Sequence, residues 1–284
     1  MTILLTGSTG FIGNYFVNHY QGRYNIQPFS FLNDKLNTID WQGIDIVIHL
    51  AALVHQMNGA DKDEYERVNV TQTVELAKQA KNAGLGRFLF MSSVKVYGEE
   101  TDIPYSETSD CNPEDDYGKS KLKAERKLLE LEDDTFSVSI IRTPVVYGYG
   151  VKANINNFVN LIKKSPILPF GSINNKRSMV YIGNLCHLVD EVILQKQHGI
   201  FLAADDEPLS TTELVRIIAK KLKKKVYLLK IPFLEFLLKT IKPLFYKRLY
   251  QSLEIDNHFT KKKLNLSNPY SAEKGIERML YGKI

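Results

Sequence analysis

The chain has 284 residues, 44% of them hydrophobic and 24% charged, enough for one large domain or a domain with a smaller lobe and unlike a collagen, a disordered tail or a disulfide-stapled miniprotein. Thirty-seven Lys and Arg against 32 Asp and Glu leave a net charge of +5; the excess gathers in the last third, at Lys220, Lys221 and residues 223–225, too weak and too local for a nucleic-acid-binding protein. Cys111 and Cys186 fit neither a metal-ligand spacing nor a secretory framework, residues 1–6 lack the basic and apolar regions of a signal peptide, and no window reaches the roughly 18 apolar residues of a membrane span. A cytoplasmic enzyme that uses no metal is the expectation.

In chain order, short apolar runs alternate with helical patterns: residues 3–5 then 11–20, 44–50 then 62–83, 87–91 then 117–131, and 138–141. Strands separated by helix-length segments predict an α/β fold, a doubly wound parallel sheet with helices on both faces. After Gly150 the alternation loosens, Pro166, Pro169 and Gly171 break a helix, and beyond Pro208 the chain turns to Leu, Lys and aromatics. The organisation predicted is a dinucleotide-binding domain over residues 1–150, with residues 178–204 returning to it, and a smaller substrate-binding lobe over 151–177 and 205–284. Residues 180–181 and 200–203 are expected as the returning strands.

The segment Thr6-Gly7-Ser8-Thr9-Gly10-Phe11-Ile12-Gly13 directly follows the first strand and opens the first helix. Glycine there allows a tight turn, close approach of backbone to a pyrophosphate and close helix–strand packing, while the helix N-terminus presents free N–H groups to the anion. Gly7, Thr9, Gly10, Phe11, Ile12 and Gly13 are therefore candidate cofactor contacts. Further along, Tyr117-Gly118-Lys119-Ser120-Lys121 sets a Tyr and a Lys four apart on one helical face, where an ammonium is expected to lower the phenol's pKa towards working pH and make Tyr117 a general acid/base. A second pair with this spacing, Tyr270 and Lys274, lies in the tail. Tyr117 is preferred because it follows a strand ending in Met91-Ser92-Ser93, so that a serine hydroxyl can meet the phenol at the carboxyl edge of the sheet. His49, inside an apolar strand, is read as a hydrogen-bonded core residue and not as a base.

The Gly-x-x-Gly-x-x-Gly spacing, followed by Ile46-Val47-Ile48-His49-Leu50-Ala51-Ala52, Asn69, the Tyr117/Lys121 pair and Arg142-Thr143-Pro144-Val145-Val146-Tyr147-Gly148, resembles the extended short-chain dehydrogenase/reductase superfamily. The resemblance implies that Leu50, Ala51, Ala52 and Pro144 also line the cofactor. It implies that Ser93 hydrogen-bonds the reacting oxygen, that Tyr117 moves its proton and that Lys121 contacts the nicotinamide ribose. Residues 177–184, Arg-Ser-Met-Val-Tyr-Ile-Gly-Asn, resemble the stretch whose arginine grips a nucleotide-sugar diphosphate, and a planar guanidinium suits phosphate oxygens. Arg177 and, from Val151-Lys152-Ala153-Asn154, Asn154 are the substrate-binding candidates. Within the superfamily the chain resembles the nucleotide-sugar epimerase and 4-ketoreductase group, most of all the bacterial UDP-N-acetylquinovosamine-type 4-reductases, through Leu53-Val54-His55-Gln56-Met57, residues 94–99, residues 168–181 and the tail around residues 263–276.

Related 4,6-dehydratases carry Asp-Glu directly after the Ser/Thr of the third motif, whereas this chain has Val94 and Lys95, and valine cannot transfer a proton; dehydration is not expected. NAD-preferring relatives end the second strand with an acidic residue on the ribose 2′-hydroxyl. Ser30 aligns there and Lys35 is the cation nearby, which favours NADP(H) over NAD(H). The leading expectation is a reductase acting on C4 of a UDP-linked 4-keto-6-deoxy-N-acetylhexosamine. The alternatives are a UDP-sugar 4-epimerase that retains NAD and a non-catalytic dinucleotide-binding regulator. Residues 232–250, with aromatics and leucines among lysines, leave a peripheral membrane contact open beside plain packing, and a homodimer is left open too.

Overall fold

A computed structural model describes residues 1–54, 61–151 and 154–282. In chain order its elements are β1 (Thr2–Thr6), α1 (Phe11–Tyr20), β2 (Asn25–Phe29), β3 (Ile46–His49), α2 (Lys62–Tyr65), a π-helical turn over Glu66–Thr71, α3 (Gln72–Asn82), β4 (Arg87–Ser93), α4 (Asp116–Leu129) and β5 (Ser137–Thr143). They continue as β6 (Val145–Tyr147), α5 (Asn154–Lys164), β7 (Ile167–Leu168), β8 (Met179–Tyr181), α6 (Ile182–Leu194) and β9 (Gly199–Leu202). The last elements are α7 (Thr211–Lys221), β10 (Tyr227–Leu228), α8 (Leu234–Ile241), α9 (Pro243–Tyr250), α10 (His258–Leu264) and α11 (Ala272–Tyr281).

Two compact units divide the chain. The first holds residues 1–98, 109–143 and 188–202; the second holds 99–108, 144–187 and 203–284. The first is built on a six-stranded parallel sheet in the order β2-β1-β3-β4-β5-β9. All four side chains of β3 are buried, as in a sheet covered on both faces. Val47, Leu76, Phe88, Phe90, Leu128, Val138 and Ile140 share one core cluster with Ala77, Ala80 and Ala124. Strand order reverses between β1, which pairs with both β2 and β3, and the strands that follow; the carboxyl edge at such a reversal is where folds of this kind bind ligands.

α4 shows how local chemistry sets an element. Asp115 caps it by accepting the Gly118 N–H at 2.7 Å, and Lys121, Leu122, Glu125 and Leu128, at spacings of three and four, form its buried face. Beneath that face the Arg142 guanidinium of β5 binds Glu125 at 2.6 Å, both groups being almost fully buried, and the Ser92 hydroxyl donates to the same carboxylate. Strand β5, strand β4 and helix α4 are thereby tied at one point.

The second unit contains two small sheets, β6–β8 and β7–β10. Asp205 organises it, accepting from the Tyr147 hydroxyl at 2.6 Å, the Asn184 amide at 2.7 Å and the Tyr181 N–H at 3.0 Å. Here the structure corrects one expectation. Residues 179–181 do not return to the large sheet but pair with β6, because Asp205 fixes the Tyr181 backbone beside Tyr147; residues 199–202 do join the large sheet, beside β5. Both cysteines are free, and among the described residues no helix is long and apolar enough to cross a membrane.

Candidate active site

At the end of β1 the chain turns through Gly7, whose φ of +71° suits glycine. A Cβ at Gly7 would meet the Ala51 nitrogen at 2.8 Å, and one at Gly13 would meet the Gly7 carbonyl oxygen at 2.2 Å. The first glycine lets the turn lie against residues 50–51, and the second lets α1 start directly above it. The Thr6 hydroxyl accepts the Ala51 N–H at 3.1 Å, so the turn and the segment after β3 are held together. No side chain caps α1, which leaves the first N–H groups of the helix, from Phe11 and Ile12 onward, open to an anion. Gly7, Thr9, Gly10, Phe11, Ile12, Gly13, Leu50 and Ala51 thus cluster at one sheet edge, with Ala52 following them. The arrangement fits a dinucleotide pyrophosphate.

Ser30 directly follows β2, and the register that pairs Thr6 with Phe29 carries it to the same edge. Its N–H donates to the Asp34 carboxylate at 2.8 Å. A carboxylate therefore lies beside the strand end, where the sequence reading considered only the neutral Ser30 and Lys35. Asp34 escapes the sequence reading because a carboxylate four residues beyond Ser30 reaches this place only through the turn that follows β2.

Ser93 is the last residue of β4, and its hydroxyl is a hydrogen-bond partner of Tyr117; it also accepts the Lys95 N–H at 3.3 Å. The phenol itself is pushed up to about 12, first by burial, with Asp115 and Tyr65 adding to the rise and Ser93 opposing it. The expected lowering by lysine is thus corrected. Lys121 Nζ donates to the Met91 carbonyl at 2.8 Å and lies 4.4 Å from the Phe90 ring centre. Burial brings the amine down to about 7 against a smaller opposing effect of Glu125. Tyr65, whose ring centre is 6.3 Å from that of Tyr117, is a neighbour that no spacing rule pointed to.

Behind these groups Asn69 joins two segments. Its side-chain amide donates to the Leu53 carbonyl at 3.0 Å and to the Ser120 hydroxyl at 2.9 Å, its oxygen accepts the Leu53 N–H at 2.8 Å, and Ser120 donates on to the Tyr117 carbonyl at 2.8 Å. His49 is a core residue as read from its strand: its ring nitrogens pair with the Thr6 and Thr73 hydroxyls at 2.7 and 2.9 Å, and burial lowers it to about 3. Val94 is buried, and the Lys95 ammonium is paired with Asp115 at 2.6 Å.

Pro144 directly follows β5. In the second unit Arg177 donates to the Gln251 carbonyl at 3.1 Å. Its pKa is lowered by burial, and Arg248 lowers it further while Glu99 opposes. The sequence reading did not single out Arg248 as a charge that acts on Arg177. Asn154 opens α5 but its side chain lies outside what is described, as do residues 55–57 and 152–153. The rival pair is structural: the Tyr270 ring packs on Tyr181 at 5.2 Å and under Arg278, while Lys274 binds Glu277.

A parallel sheet with a glycine turn after its first strand, and a serine, tyrosine and lysine at the ends of β4 and the start of α4, defines an extended short-chain dehydrogenase/reductase. The chain belongs to the NAD dependent epimerase/dehydratase family, whose match spans residues 3–202. It is 36% identical to UDP-glucose 4-epimerase of Vibrio cholerae over 98% of this chain and 94% of that protein. It is 28% identical to N-acetyl-alpha-D-glucosaminyl-diphospho-ditrans,octacis-undecaprenol 4-epimerase of Escherichia coli O157:H7, over 81% and 75%. Among solved structures, UDP-glucuronic acid 4-epimerase from Bacillus cereus in complex with NAD superposes with a TM-score of 0.78, covering 98% of this chain and 97% of that one at 20% identity, a likeness of fold.

Proposed function

We propose that the protein interconverts C4 epimers of a UDP-linked hexose or N-acetylhexosamine with a retained NAD. The single observation that carries this reading is the end-to-end identity with the Vibrio cholerae 4-epimerase, and the Ser93–Tyr117 pairing supplies the chemistry. Tyr117 takes the proton from O4 as C4 is oxidised and returns it when C4 is reduced, and Ser93 holds the same oxygen. A bound nicotinamide supplies the hydride acceptor and then the donor, with a positive charge that favours the phenolate. By the family resemblance Lys121 contacts the cofactor ribose, Pro144 borders the nicotinamide, and Arg177 is the guanidinium for the substrate diphosphate. Asp34 repels a 2′-phosphate and accepts from a ribose hydroxyl, so NAD(H) replaces the NADP(H) favoured from Ser30 alone. Val94 and the ion-paired Lys95 provide no acid or base for dehydration at C5 and C6.

The test is turnover with UDP-glucose and UDP-N-acetylglucosamine without added cofactor, followed by NMR and by absorbance at the reduced-nicotinamide band. The expected result is C4 interconversion without net absorbance change, and NAD released on denaturation. Stoichiometric consumption of NAD(P)H with UDP-2-acetamido-2,6-dideoxy-hexos-4-ulose, and no interconversion, would put a 4-ketoreductase in its place. Bound dinucleotide with neither activity would make the chain a regulator.

A further inference from the structure

α8 carries its apolar stripe on the outside. Phe233, Phe236, Leu237 and Ile241 fall at i, i+3, i+4 and i+8, the spacing by which a surface helix normally faces the core. Yet α8 has no buried residue; Phe233 is 85% and Phe236 72% exposed, with Leu237 and Ile241 more than half exposed. Ile231 before the helix and Phe245 on α9 extend the same exposed apolar surface. A soluble surface scatters such residues singly, and a run of this kind marks a surface that meets something. Phe233 moreover sits at φ +62°, a backbone region that bulky residues avoid, at the α8 N-cap, so the chain tolerates a strained residue at its most exposed aromatic.

Charge identifies the partner. Between residues 223 and 242 six exposed lysines, Lys223, Lys224, Lys225, Lys230, Lys239 and Lys242, accompany one carboxylate, Glu235. That is a formal +5 in 20 residues, the whole net charge of the chain. A protein partner's apolar face does not call for so many exposed lysines in the same stretch of chain, whereas a lipid bilayer with anionic headgroups matches both features at once, taking the aromatics at the acyl boundary and the ammonium groups at the phosphates. We infer that the α8–α9 hairpin docks the protein on an anionic membrane surface, with Phe233, Phe236 and Ile241 inserted at the interface. The inference stands on residues 223–250 and is independent of which reaction the protein catalyses.

The experiment is co-sedimentation of the full chain with vesicles of phosphatidylglycerol and phosphatidylethanolamine, beside vesicles of phosphatidylcholine. Binding is expected to the anionic vesicles, weakened by salt and absent from phosphatidylcholine. Lys239→Gln/Lys242→Gln is expected to lower the partition coefficient by about fivefold per lysine, and Phe233→Ser/Phe236→Ser to abolish binding, with circular dichroism and nucleotide binding unchanged. Lack of binding to anionic vesicles at low salt, or binding that survives both double substitutions, overturns the inference. So does light scattering that shows a dimer converted to monomer by Phe233→Ser/Phe236→Ser, which would make a second copy the occupant of this face.

Discussion

Replacing Lys121 by Met is expected to make the protein more stable and less active at once. Lys121 is only 2% exposed, and burial brings its amine from 10.5 to about 7. The unfolded chain therefore holds a proton on this residue up to about pH 10.5, while the folded chain releases it near 7. Between those values the unfolded state binds more protons, so stability rises with pH. At about 1.4 kcal/mol per pKa unit, the charged amine costs about 5 kcal/mol below pH 7, and the cost fades as pH approaches 10.5. Methionine removes that cost but leaves the Met91 carbonyl without its donor at 2.8 Å, a loss of roughly 1–3 kcal/mol. The net expectation is a gain of about 2–4 kcal/mol at pH 6, declining with pH and reversing between about pH 8 and 10. The check is urea unfolding of nucleotide-free parent and Lys121→Met between pH 6 and 10. A variant less stable than its parent at pH 6, or a difference independent of pH, would refute the account of a destabilising buried ammonium.

Tyr117→Phe is expected to lower kcat by at least about a hundredfold with the fold retained, as a positioned acid/base is worth that much; Tyr270→Phe, assayed alongside, should leave kcat within about twofold. Asp34→Ser is expected to raise binding of NADPH relative to NADH, measured by fluorescence titration of each, and an unchanged ratio would remove Asp34 from cofactor choice. Gly13→Ala places a methyl 2.2 Å from the Gly7 carbonyl oxygen, so it should abolish dinucleotide binding in the same titration and lower Tm.

What the sequence made legible was set by covalent spacing. Glycines at fixed offsets after Ile3-Leu4-Leu5, a serine ending β4, and a tyrosine and lysine one turn apart on α4 are local patterns, and the parallel sheet follows from the alternation of strands and helices. What escaped depends on chain segments meeting. Asp34 reaches Ser30 through a turn, Arg248 acts on Arg177 from 71 positions away in sequence, and Lys95 meets Asp115 across the start of α4. The direction of the Tyr117 pKa differs from the expectation because the spacing shows the ammonium but not the burial of the phenol. An N-cap aspartate before a helix is a readable signal, and Asp115 could have been found that way.

The π-helical turn over Glu66–Thr71 has a bearing on how this chain can change over time. Such a turn holds one residue more than an α-helical turn, so it is in effect an insertion kept inside an otherwise regular helix. Deleting Glu66, Arg67 or Val68 would restore uniform winding and turn Asn69 by about 100° against α2, at odds with its contacts to Leu53 and Ser120. Between residues 62 and 82, individual side chains are free to drift as long as Asn69 and the buried face persist, but the number of residues is not.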